Sequence, residues 1–350
     1  MRASDLPAVL LRAALLLTLT EALVRAACWV PAVRDAINHR YGPPSSELAW
    51  LYRPDQLDGA QSFTRYDPSL GWSNRPGLHH DLGGPVTINE RGLRALPPPR
   101  AQPPRRRIAL VGDSFTFGAE AGDGSTWADL LAQALPDDEL LNLGVTGYGH
   151  DQMRLHYDRQ LGEQPPDVLV LGFNAIDMSR TLLRFFTYAK PMILAETGDF
   201  TPVGSPVPPP EALASTLTRR SRLLWFAEMW RWRSYGTSSA FREDGVQRAG
   251  ALLTDWFTEL DAAGVQVVLL YLPMPMEYQD PSRTLAQLTA QSPERRWFQR
   301  ACATPRPCAD ALPALLQAAA AGEDLDALSH WTPAGHRLVA QTVLPLLQSP

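Results

Sequence analysis

Acid outweighs base in this sequence: the formal net charge is −5 and the isoelectric point lies near 5.8. That leaves no electrostatic case for nucleic acid as a partner. Lysine is nearly absent and arginine does its work, which reflects genome composition more than function. Cysteine is limited to three residues. Cys302 and Cys308 lie six apart in the Pro-containing loop ACATPRPCAD and could close a small disulfide ring in an oxidising compartment. Cys28 stands alone. No second close pair of Cys or His completes a zinc site, so no metal is expected, and His79-His80 reads as surface. A P-loop is missing, and so is the G-x-S-x-G elbow of α/β-hydrolases. GVTGYG has the wrong glycine spacing for a dinucleotide loop and no acidic ribose partner, so no cofactor is expected.

What remains is ample for a folded domain. At 350 residues with 45% hydrophobic content, the chain can build a full core. Its length suits one domain of about 230–250 residues plus extra elements. Ala8–Val30 reads AVLLRAALLLTLTEALVRAACWV, and roughly 23 helical residues span about 34 Å, enough to cross a bilayer. Arg12 and Arg25 lie near the ends and can snorkel; Glu21 is the awkward group, costing about 2–3 kcal/mol if central and unpaired. Three readings stay open: a single-pass anchor, which leads; a cleaved signal with small Ala26-Ala27 behind its apolar core; or a helix of a soluble protein. Cys28 after Ala26-Ala27 hints at a lipoprotein site, but Arg25 stands where an aliphatic residue is expected. The export-like start and the disulfide candidate place the bulk of the chain outside the cytoplasm, on the periplasmic side, or secreted if the signal is cleaved.

Residues 35–104 are rich in Pro, Gly and aromatics and have no long helical period. They are expected to form a small β-containing accessory region packed on the main domain, with a stiff Pro-rich connector at its end. Within it Gly71–Gly77 reads as turns and Val86–Asn89 as a short strand. Residues 105–350 then alternate. Arg107–Val111, Glu139–Leu143, Asp167–Phe173 and Val265–Leu272 read as strands. Helices are expected over Ser125–Leu135, Asp151–Leu161, Gln247–Ala263 and Pro333–Leu347. The fold class is α/β, a three-layer α/β/α sandwich with a parallel sheet. An insertion at about 178–240 interrupts it, with Trp225, Trp230 and Trp232 in an aromatic run that is either a lid or acyl-binding wall, or plain core packing.

The chemistry gathers at two stretches. Ser114 stands at the C-terminal tip of the strand in RIALVGDSFTFG, where open α/β sheets keep their ligands. His330, in SHWTPAGH, directly precedes a Pro-initiated helix and could reach the same end of the sheet. A hydroxyl needs such a base to become a nucleophile at neutral pH. His336 is the rival base, but it lies on the helix and is expected to cap or pack.

GDSFTFG, NLGVTGYG, a strand ending in GFN, and SHWTPAGH recur in the order of the SGNH (GDSL-type) hydrolases, and the chain resembles their membrane-anchored bacterial members. The resemblance covers roughly Arg105 to Leu347, and the GLR-containing stretch before the nucleophile is also similar. It implies a flavodoxin-like fold. It also implies Ser114 as nucleophile and His330 as general base, with an oxyanion hole from the Ser114 and Gly147 N–H groups and the Asn174 amide. Two positions depart from the family pattern. Asn174 is followed by Ala175-Ile176-Asp177 where Asp is usual sooner, and the Asn-Asp pair of close relatives can fall at Ile176-Asp177. The acid usually stands two or three residues before the histidine, where Ala327 and Leu328 stand here; Asp326 is the nearest carboxylate and the expected acid, with Asp324 behind it. The expected function is a serine esterase acting through an acyl-enzyme on a short acyl, such as O-acetyl, ester of a cell-surface glycan or lipid. The alternatives are an O-acyltransferase and a catalytically degenerate binding or scaffold protein.

Overall fold

The computed structural model describes residues 6–28, 30, 63–184, 186, 188–193, 202–209, 221, 223, 239–280 and 282–348. Helix α1 (Leu6–Cys28) exposes leucine on every side, including Leu10, Leu15, Leu16 and Leu19. Its Pro7–Ala27 stretch is the one span among the described residues long and apolar enough to cross a membrane. Glu21 within it is not left unpaired. Its carboxylate takes the Arg25 guanidinium at 2.7 Å, the Ser221 hydroxyl at 3.0 Å and the Leu223 N–H at 2.9 Å.

Two antiparallel hairpins follow, β1 (Thr64–Asp67) with β2 (Gly71–Asn74), and β3 (Gly77–Asp81) with β4 (Gly84–Ile88). The expected turns at Gly71–Gly77 are therefore largely strand: Gly71–Asn74 pairs with Thr64–Asp67 and is buried, and burial of the Trp72 ring overrides the turn-like composition. The Trp72 indole donates to the Thr146 carbonyl at 2.9 Å, and the Asn74 amide to Gly144 at 3.0 Å. The first hairpin thus grips the NLGVTGYG loop.

The main body is built from β5 (Arg107–Val111), α2 (Ser114–Phe117), α3 (Trp127–Ala134), β6 (Glu139–Asn142), α4 (His150–Leu161), β7 (Val168–Phe173) and α5 (Ala175–Arg180). After short β8 (Met192–Ile193) and β9 (Pro202–Val203) come α6 (Ser239–Ala262), β10 (Gln266–Tyr271), α7 (Pro275–Tyr278), α8 (Leu285–Gln291), α9 (Pro293–Cys302), β11 (Cys308–Asp310), α10 (Leu312–Ala320) and α11 (Pro333–Gln348). The five parallel strands lie in the order β11-β10-β7-β5-β6, the flavodoxin order, covered by helices on both faces. Strands β5, β7 and β10 are apolar and buried almost throughout, as strands covered on both faces must be. On the helical layers α3 packs on α11, and α6 packs on α4, α5 and α9.

Edge strand β11 stands where the Pro-containing sequence reads as loop. It is only three residues long, and the Cys302–Cys308 disulfide, with its Cα atoms 5.7 Å apart, ties it to the end of α9. The order of strands reverses between β5 and β7, so the crevice where a ligand is expected opens beside the tip of β5. Ser114 is the first residue past that tip to enter a helix.

Candidate active site

Asp113 shapes the turn that carries Ser114. Its carboxylate accepts the Phe115 N–H at 2.9 Å, capping α2 and turning the chain sharply off β5. His330 arrives on the loop before α11. That loop is held by backbone bonds from Ala327 to His330 and from Thr332 to Leu325. Fully buried Trp331 fastens it against Phe115, ring centres 4.8 Å apart. The His330 Nε2 lies 2.8 Å from Ser114 Oγ.

The partner of the other imidazole nitrogen is Glu120. His330 Nδ1 lies 2.9 Å from Glu120 Oε1. A carboxylate only accepts, so Nδ1 carries the proton and Nε2 offers its lone pair to the serine hydroxyl. Glu120 also collects the N–H groups of Leu328 (2.8 Å), Ser329 (3.0 Å) and His330 (3.2 Å), and the Ser329 hydroxyl at 2.7 Å. Burial alone would raise its pKa. The hydrogen bonds from His330, Ser329 and Leu328 outweigh burial and bring it to about 2, so Glu120 is an anion at any working pH. Glu120 sits at φ 65°, the left-handed region, where among the described residues no other non-glycine stands. Its N–H is held by Asp81 of β3 at 2.8 Å.

Asp326, the expected acid, is occupied elsewhere. Its oxygens accept the Tyr278 hydroxyl and the Gln279 amide, and neither bonds the imidazole. A β-bridge between Asp326 and Trp331 turns the loop so that the carboxylate faces α7 rather than His330. The physical reason is that Glu120 already fills the Nδ1 side of the ring. Sequence reasoning missed it by looking only upstream of the histidine. The available signal was a carboxylate six residues after the serine, beyond Gly118 at φ 84°.

The three expected oxyanion donors come from three adjoining segments. Ser114 begins α2, and Gly147 stands in the loop after β6 at φ 83°. Asn174 caps α5 with its Oδ1, which accepts the Ile176 N–H at 3.2 Å, while its buried Nδ2 has no acceptor among the described residues. An amide N–H with no acceptor in the fold is chemically free to donate to another oxygen. Ile176, at the alternative position of the Asn-Asp pair, is 37% exposed. Gly144 lets the loop after β6 lie on α2: a Cβ there would sit 2.2 Å from the Phe117 nitrogen.

Arg94, from the GLR stretch, supports the site from behind. Buried and beside the Phe117 ring, it donates to the carbonyls of Phe117 (3.0 Å), Gly118 (2.6 Å) and Ala121 (2.7 Å). It therefore fastens the segment that carries Glu120. His336 is buried 1% exposed on α11, and its Nδ1 accepts the Trp127 N–H at 3.3 Å, away from the serine. No cluster of His, Cys, Asp or Glu among the described residues could hold a metal ion. Trp225, Trp230 and Trp232 lie outside the described residues.

Among solved structures the chain is similar to a lipolytic protein of the G-D-S-L family from Veillonella parvula (14% identity, 70% of this chain and 99% of that one, TM-score 0.39). It is also similar to the acetylxylan esterase Axe2 from Geobacillus stearothermophilus (15% identity, 71% and 96%, TM-score 0.41). A further similar structure is the acetyl xylan esterase AlAXEase (14% identity, 69% and 99%, TM-score 0.44). No curated protein matches the chain by sequence. The profile of the GDSL-like lipase/acylhydrolase family matches residues 110–338, a span that begins just before Ser114 and ends just after His330. The chain, over half of which lies in that match, belongs to the GDSL-like lipase/acylhydrolase family.

Proposed function

We propose that the protein is a membrane-tethered serine esterase, working outside the cytoplasm, that cleaves a short acyl ester, such as an O-acetyl group on a cell-surface glycan or lipid. The observation that carries the reading is the continuous track Ser114 Oγ–His330–Glu120, with contacts of 2.8 and 2.9 Å. Ser114 attacks the ester carbonyl as its proton passes to His330 Nε2, and Glu120 steadies the imidazolium that forms. The carbonyl oxygen, now negative, is received by the N–H groups of Ser114 and Gly147 and by the unpaired Asn174 amide. The leaving alcohol takes the proton back, and water, deprotonated by the same imidazole, frees the acid from Ser114. The absence of an acid just before His330 does not argue for a decayed site, because Glu120 occupies that role from the nucleophile's own loop.

The tether rests on the apolar span of α1, and an oxidising compartment on the Cys302–Cys308 bridge. Purified full-length protein is to be treated with a fluorophosphonate probe and with p-nitrophenyl acetate, beside Ser114→Ala. Labelling and turnover in the wild type, both lost in the variant, are expected; a wild type that neither labels nor turns over sinks the reading.

A further inference from the structure

Three segments carry the proposed oxyanion donors, and one guanidinium touches all three. Arg180, the last residue of α5, places a single nitrogen, one of its two Nη atoms, 2.6 Å from Asp177 Oδ1 on its own helix. The same nitrogen is 3.0 Å from Asp113 Oδ2 beside the nucleophile and 3.4 Å from the Tyr148 carbonyl, next to Gly147. Both carboxylates are fully buried and the guanidinium is nearly so, with side-chain exposures of 0%, 0% and 11%. Burial, and then the neighbouring Asp113 carboxylate, hold the Asp177 carboxyl well above its ordinary range. From the insertion, the Phe186 ring covers the guanidinium, 4.6 Å from its centre.

The geometry points to Arg180 as a positioning residue that sets the oxyanion hole, fixing the spacing of Ser114, Gly147 and Asn174 by pinning the segment beside each of them. This rests on the esterase reading above and adds to it a residue that touches no substrate. The physical reason is that the donors lie on independent backbones. The loop after β6 is already joined to the nucleophile segment by the Val145 N–H on the Gly112 carbonyl (3.2 Å) and the Asn142 amide on the Thr116 carbonyl (2.9 Å), and Arg180 adds the side-chain tie that brings in α5. A displacement near 1 Å in such a constellation costs about 10²-fold in rate. Arginine suits the task because its flat, weakly hydrated cation brings one Nη to these acceptors while its face lies against the Phe186 ring, a packing that the compact ammonium of lysine does not reproduce. Phe186 then gives the insertion a direct hold on the clamp.

The test compares wild type with Arg180→Lys, using p-nitrophenyl acetate turnover, fluorophosphonate labelling rate and inhibition by a trifluoromethyl ketone, which forms a tetrahedral oxyanion on the serine. Expected is a fall in kcat of about 10–100-fold with KM changed less than about threefold, as when an interaction made only in the transition state is lost. Ketone affinity is expected to weaken by the same factor as kcat/KM. Should that variant fail to fold, Asp177→Ala takes its place: it removes the partner that aims the guanidinium from within α5, and kcat is again expected to fall more than KM rises. A folded variant with wild-type kcat and ketone affinity but a lower Tm overturns the inference, as does a loss confined to KM. A wild type without turnover or labelling overturns the esterase reading and this inference together; an active wild type with unaffected variants overturns this inference alone.

Discussion

At the scale of single residues, the clearest outcome is the exchange of one carboxylate for another. Asp326 is the acid nearest His330 in sequence, yet Glu120 is the one on its ring. The two make opposite predictions. Glu120→Gln keeps the shape but loses the charge that fixes the tautomer, and kcat for p-nitrophenyl acetate is expected to drop by about 10⁴, the loss when a triad acid becomes an amide. Asp326→Asn keeps an acceptor for Tyr278, and kcat is expected to stay within about twofold, since it removes nothing on the proton's path. Steady-state rates of the two variants side by side decide the matter; equal losses would mean the carboxylates are misassigned.

At the scale of elements, the site is held by neighbours that reach it through backbone. Arg94, on the stretch after the β3–β4 hairpin, satisfies three carbonyls of the segment 117–121, and each buried carbonyl left without a donor costs about 1–3 kcal/mol. Arg94→Met is therefore expected to lower Tm by several degrees and, by loosening Glu120, to reduce kcat as well; scanning calorimetry and turnover on one preparation check both. Much of this level could be read in advance. The strands β5, β6, β7 and β10 are apolar runs whose burial on both faces leaves them little choice, and GDSFTFG and SHWTPAGH mark the serine and the histidine. What could not be read depended on contacts distant in sequence. β2 looks like turns until Trp72 is seen to be buried, and β11 is too short for any period to show. Glu120 is simply an exposed-looking loop acid until residues 328–330 fold over it.

At the scale of the whole molecule, acid stability follows from histidines kept neutral inside the fold. Burial first, with nearby arginines adding to it, pushes His150, His156 and His336 from 6.5 down to about 3. Between those values the unfolded chain binds protons that the folded one refuses, so stability is full above pH 6.5 and declines as pH falls toward 3. Glu120 adds to the decline at the lower end, its contribution present above its ordinary 4.5 and lost as pH falls through about 2. Thermal unfolding followed from pH 7.5 to 4 is expected to show Tm falling with acid, and less steeply in His156→Gln, which has one proton fewer to take up; parallel slopes would remove this histidine from the account. The placing of Glu120 also divides the labour of the chain unevenly. The hydroxyl and the carboxylate come from one stretch of seven residues, Ser114 to Glu120, so their spacing is inherited from a single local turn. Only the imidazole travels from the far terminus. A break in the chain within the insertion would leave one fragment owning everything but the base, and the other bringing nothing to the chemistry except His330.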